Sequence, residues 1–130
     1  AARRGVDVVL ILPSQNDFWP ALYTGRSYYR ELLSAGVRIF EREHALLHAK
    51  TAVIDGRWST IGSTNLDWRS LSLNAEINAV VVGRGFAAEM ERLFHRDLEL
   101  SRHITLAQWR RRAPPERFME FLGRLTERLM

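Results

Sequence analysis

The sequence predicts an α/β fold, a mixed and largely parallel sheet flanked by helices, and three features carry that expectation. Val6 to Leu12 (VDVVLIL) is a short, valine-rich apolar run of the kind that forms a buried strand. Ala21 to Ala35 places Leu22, Tyr29, Leu32 and Leu33 on or near one helical face, and Gly36 follows in the position of a C-cap glycine. Val37 to Phe40 (VRIF) alternates like a second strand. Strand, helix and strand in succession make a βαβ-type unit, which points to an α/β sheet.

The other elements follow in order. Between the first strand and the first helix, Pro13 to Pro20 reads as a loop, with Ser14, Asn16 and Asp17 as turn formers. Lys50 to Ile54 and Arg57 to Ile61 read as two strands joined through Asp55-Gly56, a strong hairpin-turn dipeptide between β-forming runs. Gly62 to Ala75 is polar and irregular, and Glu76 to Val82 (EINAVVV) returns to strand character. After Gly83 and Gly85, a helix is expected from Phe86 to about Leu100, with Phe86, Met90, Leu93 and Phe94 at helical spacing. Thr105 suits the N-cap of a short turn ending near Trp109. Pro114-Pro115 then opens a last helix whose Phe118, Phe121, Leu122, Leu125 and Leu129 form an apolar stripe.

Composition narrows the chemistry. At 130 residues, 46% hydrophobic and 26% charged, the chain is one ordinary globular domain's worth of sequence. It has no cysteine, which excludes disulfides and thiolate chemistry. No apolar run approaches the ~20 residues needed to cross a bilayer, and no signal peptide opens the chain. The first residue is Ala1 rather than Met, so a longer polypeptide is expected, whose remainder could hold a membrane or targeting segment. The net charge of +4 favours anionic partners without choosing among phospholipid, nucleic acid and small phosphates. Of the 19 basic residues, Lys50 is the single lysine and all the others are arginine. A compact ammonium in a chain that otherwise uses the guanidinium fork invites a chemical reason.

That reason lies in its neighbourhood, HAKTAVIDGRWSTIGSTNLDWRSLSLNAE, from His48 to Glu76. His48 and Lys50 alternate at a strand entrance and so share one face. An ammonium can bind the non-bridging oxygens of a phosphate, while an imidazole attacks phosphorus or protonates a leaving oxygen. The hairpin brings the chain back so that Ser63 and Asn65, again two apart, can approach the same point with hydroxyl and amide donors. Gly62 permits a close backbone approach to a ligand. His44 and His48 would form a metal pair on a helix, but the intervening residues and the following strand argue against a metal site.

The spacing HxKxxxxD, six residues, then GSxN is satisfied by His48, Lys50, Asp55, Gly62, Ser63 and Asn65. This is similar to the signature of the phospholipase D superfamily, and the only lysine of the chain falls on the lysine of the motif. The flanks RSYYRELLSAGVRIFE, NLDWRSLSLNAEIN and LELSRHITLAQWRRR resemble the C-terminal half of bacterial cardiolipin synthases. The resemblance implies a phospholipase D-like half-domain over residues 1–104 and a helical tail over 105–130. It implies covalent catalysis: one histidine attacks the phosphodiester to give a phosphohistidine, another protonates the departing alcohol, and an acceptor alcohol or water takes the phosphoryl group. The catalytic set it implies is His48, Lys50, Asp55 and Glu76, with Lys50, Ser63 and Asn65 holding phosphate. Glu76 would orient the histidine, and Asp55 would fix the hairpin. Asp67, Arg69 and Ser70 read as loop scaffolding. No metal and no cofactor are expected.

The resemblance also sets the context. The family's site needs two such motifs and this chain holds one, so the second comes from upstream in the same polypeptide or from a homodimer, and the chain alone should have little or no activity. The motif leaves open whether His48 is the nucleophile or the general acid; a place in the second half favours the acid. The implied reaction moves a phosphatidyl group between phospholipids, as from two phosphatidylglycerols to cardiolipin and glycerol, at a bacterial inner membrane. Trp109 beside Arg110, Arg111 and Arg112, with Arg102 and His103 near, is a candidate membrane contact. Two other readings keep the fold: a nuclease-like phosphodiesterase, which the flanks disfavour, and a non-catalytic phosphate- or membrane-binding module, which would have no need of His48.

Overall fold

The computed structural model describes residues 1–16, 18–44, 47–65, 70 and 72–126. Asp67 and Arg69, and the apolar Leu129 of the tail, lie outside the described residues. The chain divides into two compact units, Ala1–Leu47 with Leu100–Met130, and His48–Glu99.

The first unit holds strands β1 (Val9–Pro13) and β2 (Arg38–Arg42), with helices α1 (Trp19–Ser27) and α2 (Tyr29–Ser34) between them. The expected single helix is therefore two. Its break at Tyr28 follows from Ser27, whose hydroxyl donates back to the Thr24 carbonyl at 2.7 Å, while the Tyr28 amide takes the tighter bond to the Gly25 carbonyl at 3.2 Å. Gly36, at φ 93°, ends α2 as expected. β1 and β2 pair in parallel, Val9 opposite Arg38, as a βαβ-type unit requires. A third strand absent from the sequence reading, β6 (Ser101–Ile104), pairs antiparallel with β2, Ile39 opposite Ile104.

Tyr29, Val37, Ile39 and Ile104 form the core of this unit, with Leu10, Leu12, Leu32, Leu33 and Trp109 packed around them. Each such burial is worth roughly 1.5–3 kcal/mol. The same face of β2 also buries Glu41, 1% exposed. Its carboxylate accepts from Arg26 Nε and Arg102 Nη2, both at 2.9 Å, and from the Tyr29 hydroxyl at 3.3 Å. Burial and the adjoining carboxylate hold the Tyr29 phenol well above its ordinary range, so it remains a donor. The tail belongs to this unit. α4 (Leu106–Arg110) starts from a capping box between Thr105 and Gln108, and α5 (Pro114–Thr126) follows the Pro-Pro pair.

The second unit is an antiparallel sheet, β3 (Thr51–Ile54), β4 (Trp58–Gly62) and β5 (Asn78–Val82), with helix α3 (Arg84–Glu99) against it. Asp55 and Gly56, at φ 51° and 58°, are the central residues of a turn closed by the Arg57 amide on the Ile54 carbonyl at 3.2 Å, and Asp55 to Arg57 make the three-residue loop between the paired Ile54 and Trp58. Val53, Ser59 and Val81 stand opposite one another and share one face. Ser59 and Ala87 of α3 are fully buried, and Met90 of α3 is nearly so.

The expectation of a largely parallel sheet is overturned. There are two three-stranded sheets, and β1–β2 is the single parallel pairing among the described strands. The βαβ-type unit was legible at the start of the chain, but a loop as short as Asp55 to Arg57 can only join antiparallel neighbours, and it is this loop that joins β3 to β4.

Candidate active site

The site is built at the open end of the β3–β4 hairpin. The Gly62 amide donates to the Lys50 carbonyl at 3.1 Å, which continues the ladder one step beyond the Thr51–Ile61 pair. This fixes the segment carrying His48 and Lys50 beside Gly62 and Ser63. On the other side, the Ser63 amide donates to the Ile77 carbonyl at 3.0 Å, and the Ile77 amide donates to Ser63 Oγ at 3.1 Å. Three segments distant in sequence thus meet.

Between them lies an open groove of about 550 Å³ lined by His48, Lys50, Ile61, Gly62, Ser63, Ile77 and Ala79. Its walls are largely apolar, and its polar side chains are His48, Lys50 and Ser63. His48 is exposed and Lys50 partly buried. Lys50 Nζ donates to the His48 carbonyl at 2.8 Å, which holds the ammonium close to the His48 backbone. Glu76 is tied to Ser63 Oγ by a short hydrogen bond and accepts from Asn74 Nδ2 at 3.5 Å. Bonds from Ser63, then from Ser70 and Asn74, together with the charge of Lys50, hold the Glu76 carboxyl below the usual carboxylate range. Among the described residues no bond joins Glu76 to His48; the groups that position Glu76 are hydroxyls and an amide.

The remaining candidates are placed as follows. Asn65 Nδ2 donates to Ser70 Oγ at 3.4 Å, and Ser70 is 6% exposed, so these two brace the loop after the glycine. Asp55 is exposed in the hairpin turn, four residues of strand from the groove, about 13 Å at the usual rise. A Cβ on Gly62 would collide with the Asn78 side chain and the Ile77 carbonyl, so the neighbouring strand itself fills the space beside this glycine. Asn78 Nδ2 in turn donates to Thr64 Oγ1 at 2.6 Å. Asn74 and Asn78 went unnoticed in the sequence, where an asparagine in a polar loop carries no signal. His44 sits at φ 56° outside any helix, and among the described residues no cluster of three histidines or carboxylates is placed for a metal.

The tail residues divide. Trp109 meets Tyr29 in a tilted contact, 4.8 Å between ring centroids, and packs against the core. Arg112 lies over the Trp109 ring and forms a two-pronged pair with Glu120 at 2.6 and 2.8 Å. Arg102 bridges Glu41 and Glu43, and His103 stacks on Phe40. Arg110 and Arg111 are exposed.

The family described as "Cardiolipin synthase, PLD-like domain" matches residues 1–98, three quarters of the chain. This chain is a PLD-like domain of the cardiolipin synthase family. Among curated proteins, the domain is 40% identical over 129 residues to cardiolipin synthase A of Proteus mirabilis and 41% identical over 129 residues to that of Cronobacter sakazakii. Each alignment covers 99% of this chain and 25% of the relative, so the domain spans about a quarter of the proteins it matches. Among solved structures, it shares its fold with Nuc of Salmonella typhimurium, a phospholipase D family member. The TM-score is 0.66 at 21% identity, over 79% of this chain and 67% of Nuc.

Proposed function

We propose that this PLD-like domain is one catalytic half of a phosphatidyltransferase that moves a phosphatidyl group between phospholipids through a phosphohistidine. The observation that supports this most is the shared groove: His48, Lys50 and Ser63 line it together, with the Glu76 carboxylate bound to Ser63. The relatedness to cardiolipin synthase A supports the lipid substrate.

In this reading Lys50 and Asn65 hold the phosphate oxygens, the ammonium by charge and the amide by hydrogen bonding, with Ser63 in support. One histidine forms the P–N bond as the P–O bond to the departing glycerol breaks. His48 is assigned the other role, giving its proton to that oxygen, and takes a proton back from the acceptor hydroxyl in the second step. Two phosphatidylglycerols then give cardiolipin and glycerol, with the protein acting at the bacterial inner membrane. The partner motif comes from a second half.

The test is lipid turnover by the natural polypeptide in phosphatidylglycerol vesicles, wild type against His48→Ala. Cardiolipin and glycerol from the wild type, with at least a ~100-fold loss in the variant, is the expected result. Cleavage of a single-stranded DNA phosphodiester with the lipid untouched would transfer the site to nucleic acid. Unchanged lipid binding without turnover in either protein would make the domain a binding module.

A further inference from the structure

Helix α5 is folded against its own apolar pattern. It docks through Gly123, where an added Cβ would stand 2.7 Å from the Thr24 backbone nitrogen and 3.0 Å from the Tyr23 carbonyl carbon. The Gly123 carbonyl accepts from Thr24 Oγ1 at 2.7 Å, and the inward Glu120, 4% exposed, is neutralised by Arg112. The opposite side carries Phe118, Phe121 and Leu125, spaced i, i+3 and i+7, and these are 60%, 59% and 63% exposed. A surface helix of a globular protein ordinarily turns such a row inward. Here a glycine and a paired carboxylate face in, and two phenylalanines and a leucine face out.

We propose that α5 is a membrane-docking helix that lies in the plane of an anionic lipid surface, with Phe118, Phe121 and Leu125 entering the acyl boundary. The charges select this occupant. Between Arg110 and Leu125 the exposed charged residues are Arg110, Arg111, Arg117 and Arg124 against a single carboxylate, Glu116. A second copy packed on this face across a two-fold axis would bring the arginines against their own counterparts. Arg124 also lies over the Tyr28 ring, 4.8 Å from its centroid; an anionic headgroup layer gives Arg110, Arg111 and Arg117 a partner, worth about fivefold in affinity per arginine at low salt. The 13 residues of α5 span roughly 20 Å, short of the ~30 Å hydrocarbon layer, and no described helix is long and apolar enough to cross a membrane. A short helix with one apolar face and a basic flank lies on a membrane rather than through it. The inference rests on this helix alone and not on the chemistry assigned to the His48 groove.

Flotation of the chain with phosphatidylcholine vesicles, with and without phosphatidylglycerol, tests it. The wild type is expected to float with the anionic vesicles. Phe118→Ser/Phe121→Ser should weaken binding by at least about tenfold. Arg110→Gln/Arg117→Gln should weaken it by about twentyfold at low salt, an effect that shrinks as salt is raised. Both pairs are exposed, and circular dichroism checks that each variant is folded. Independently of those losses, Phe121→Trp should fluoresce with stronger quenching by brominated acyl chains than the wild type shows. A wild type that stays off anionic vesicles overturns the proposal. So does a folded serine variant that binds equally well, or a Phe121→Trp variant whose added emission is blind to the acyl chains. A dimer that dissociates on Phe118→Ser, with no vesicle binding, would assign the face to a second copy.

Discussion

A single ammonium in an arginine-rich chain is a statement about geometry. Lys50 Nζ reaches back to the His48 carbonyl, and the groove it lines also takes in Gly62 and Ser63. A guanidinium carries the same charge but is wide, planar and unable to rotate its donors about one atom. Lys50→Arg should therefore lower phosphatidyl transfer by about 100-fold, the scale of losing one preorganised donor. The urea midpoint of unfolding should hardly move, since the ammonium bonds to a neighbouring carbonyl at the open groove. Full turnover in the arginine variant would reduce Lys50 to a source of charge. The meeting of His48, Lys50 and Ser63 was readable because it rests on spacing: an alternation at His48/Lys50 and a return of the chain through a turn whose dipeptide is unmistakable. What spacing could not disclose is which group holds which. The partners of Glu76 are Ser63, Ser70 and Asn74, and that depends on a loop path with no periodicity to read.

At the scale of elements, the features set by local chemistry were legible. Gly36 and the Thr105–Gln108 capping box mark helix ends by side-chain and backbone rules that act within a few residues. The Asp55-Gly56 turn is equally local. β6 was not legible, because Ser101–Ile104 is short, half polar and made a strand only by its pairing with β2. The direction of pairing was likewise beyond one βαβ-type signal, and so was the outward turn of the α5 stripe. That turn is decided by Gly123, where α5 approaches α1 too closely for any side chain. Gly123→Ala tests this. In an exposed helix the change would gain about 1 kcal/mol from propensity. Here the Cβ meets backbone atoms of Tyr23 and Thr24, which cannot swing away, so a net destabilisation of about 1–3 kcal/mol is expected from chemical denaturation. A stabilised variant would mean that α5 sits less tightly than its glycine implies.

At the scale of the whole molecule, the issue is where the second motif resides. The Lys50 groove offers one histidine, and a two-step transfer needs a nucleophile and an acid. Relatives four times the length of the matched segment have room for both in one chain, which favours an upstream half over a homodimer. The two arrangements respond differently to dilution by a dead copy. If each site takes one histidine from each of two identical chains, an equimolar mixture of wild type and His48→Ala pairs about half of the wild-type chains with inactive partners, and turnover per wild-type chain falls to about half. If both histidines belong to one polypeptide, the inactive copy is a spectator and turnover per wild-type chain is unchanged. We expect the second result for the natural polypeptide, read as initial rates of cardiolipin formation after the mixture has been unfolded and refolded together so that partners can exchange. A fall toward half would place the site across a two-fold axis and make the His48 groove a shared one, with the same residue serving as nucleophile in one copy and acid in the other.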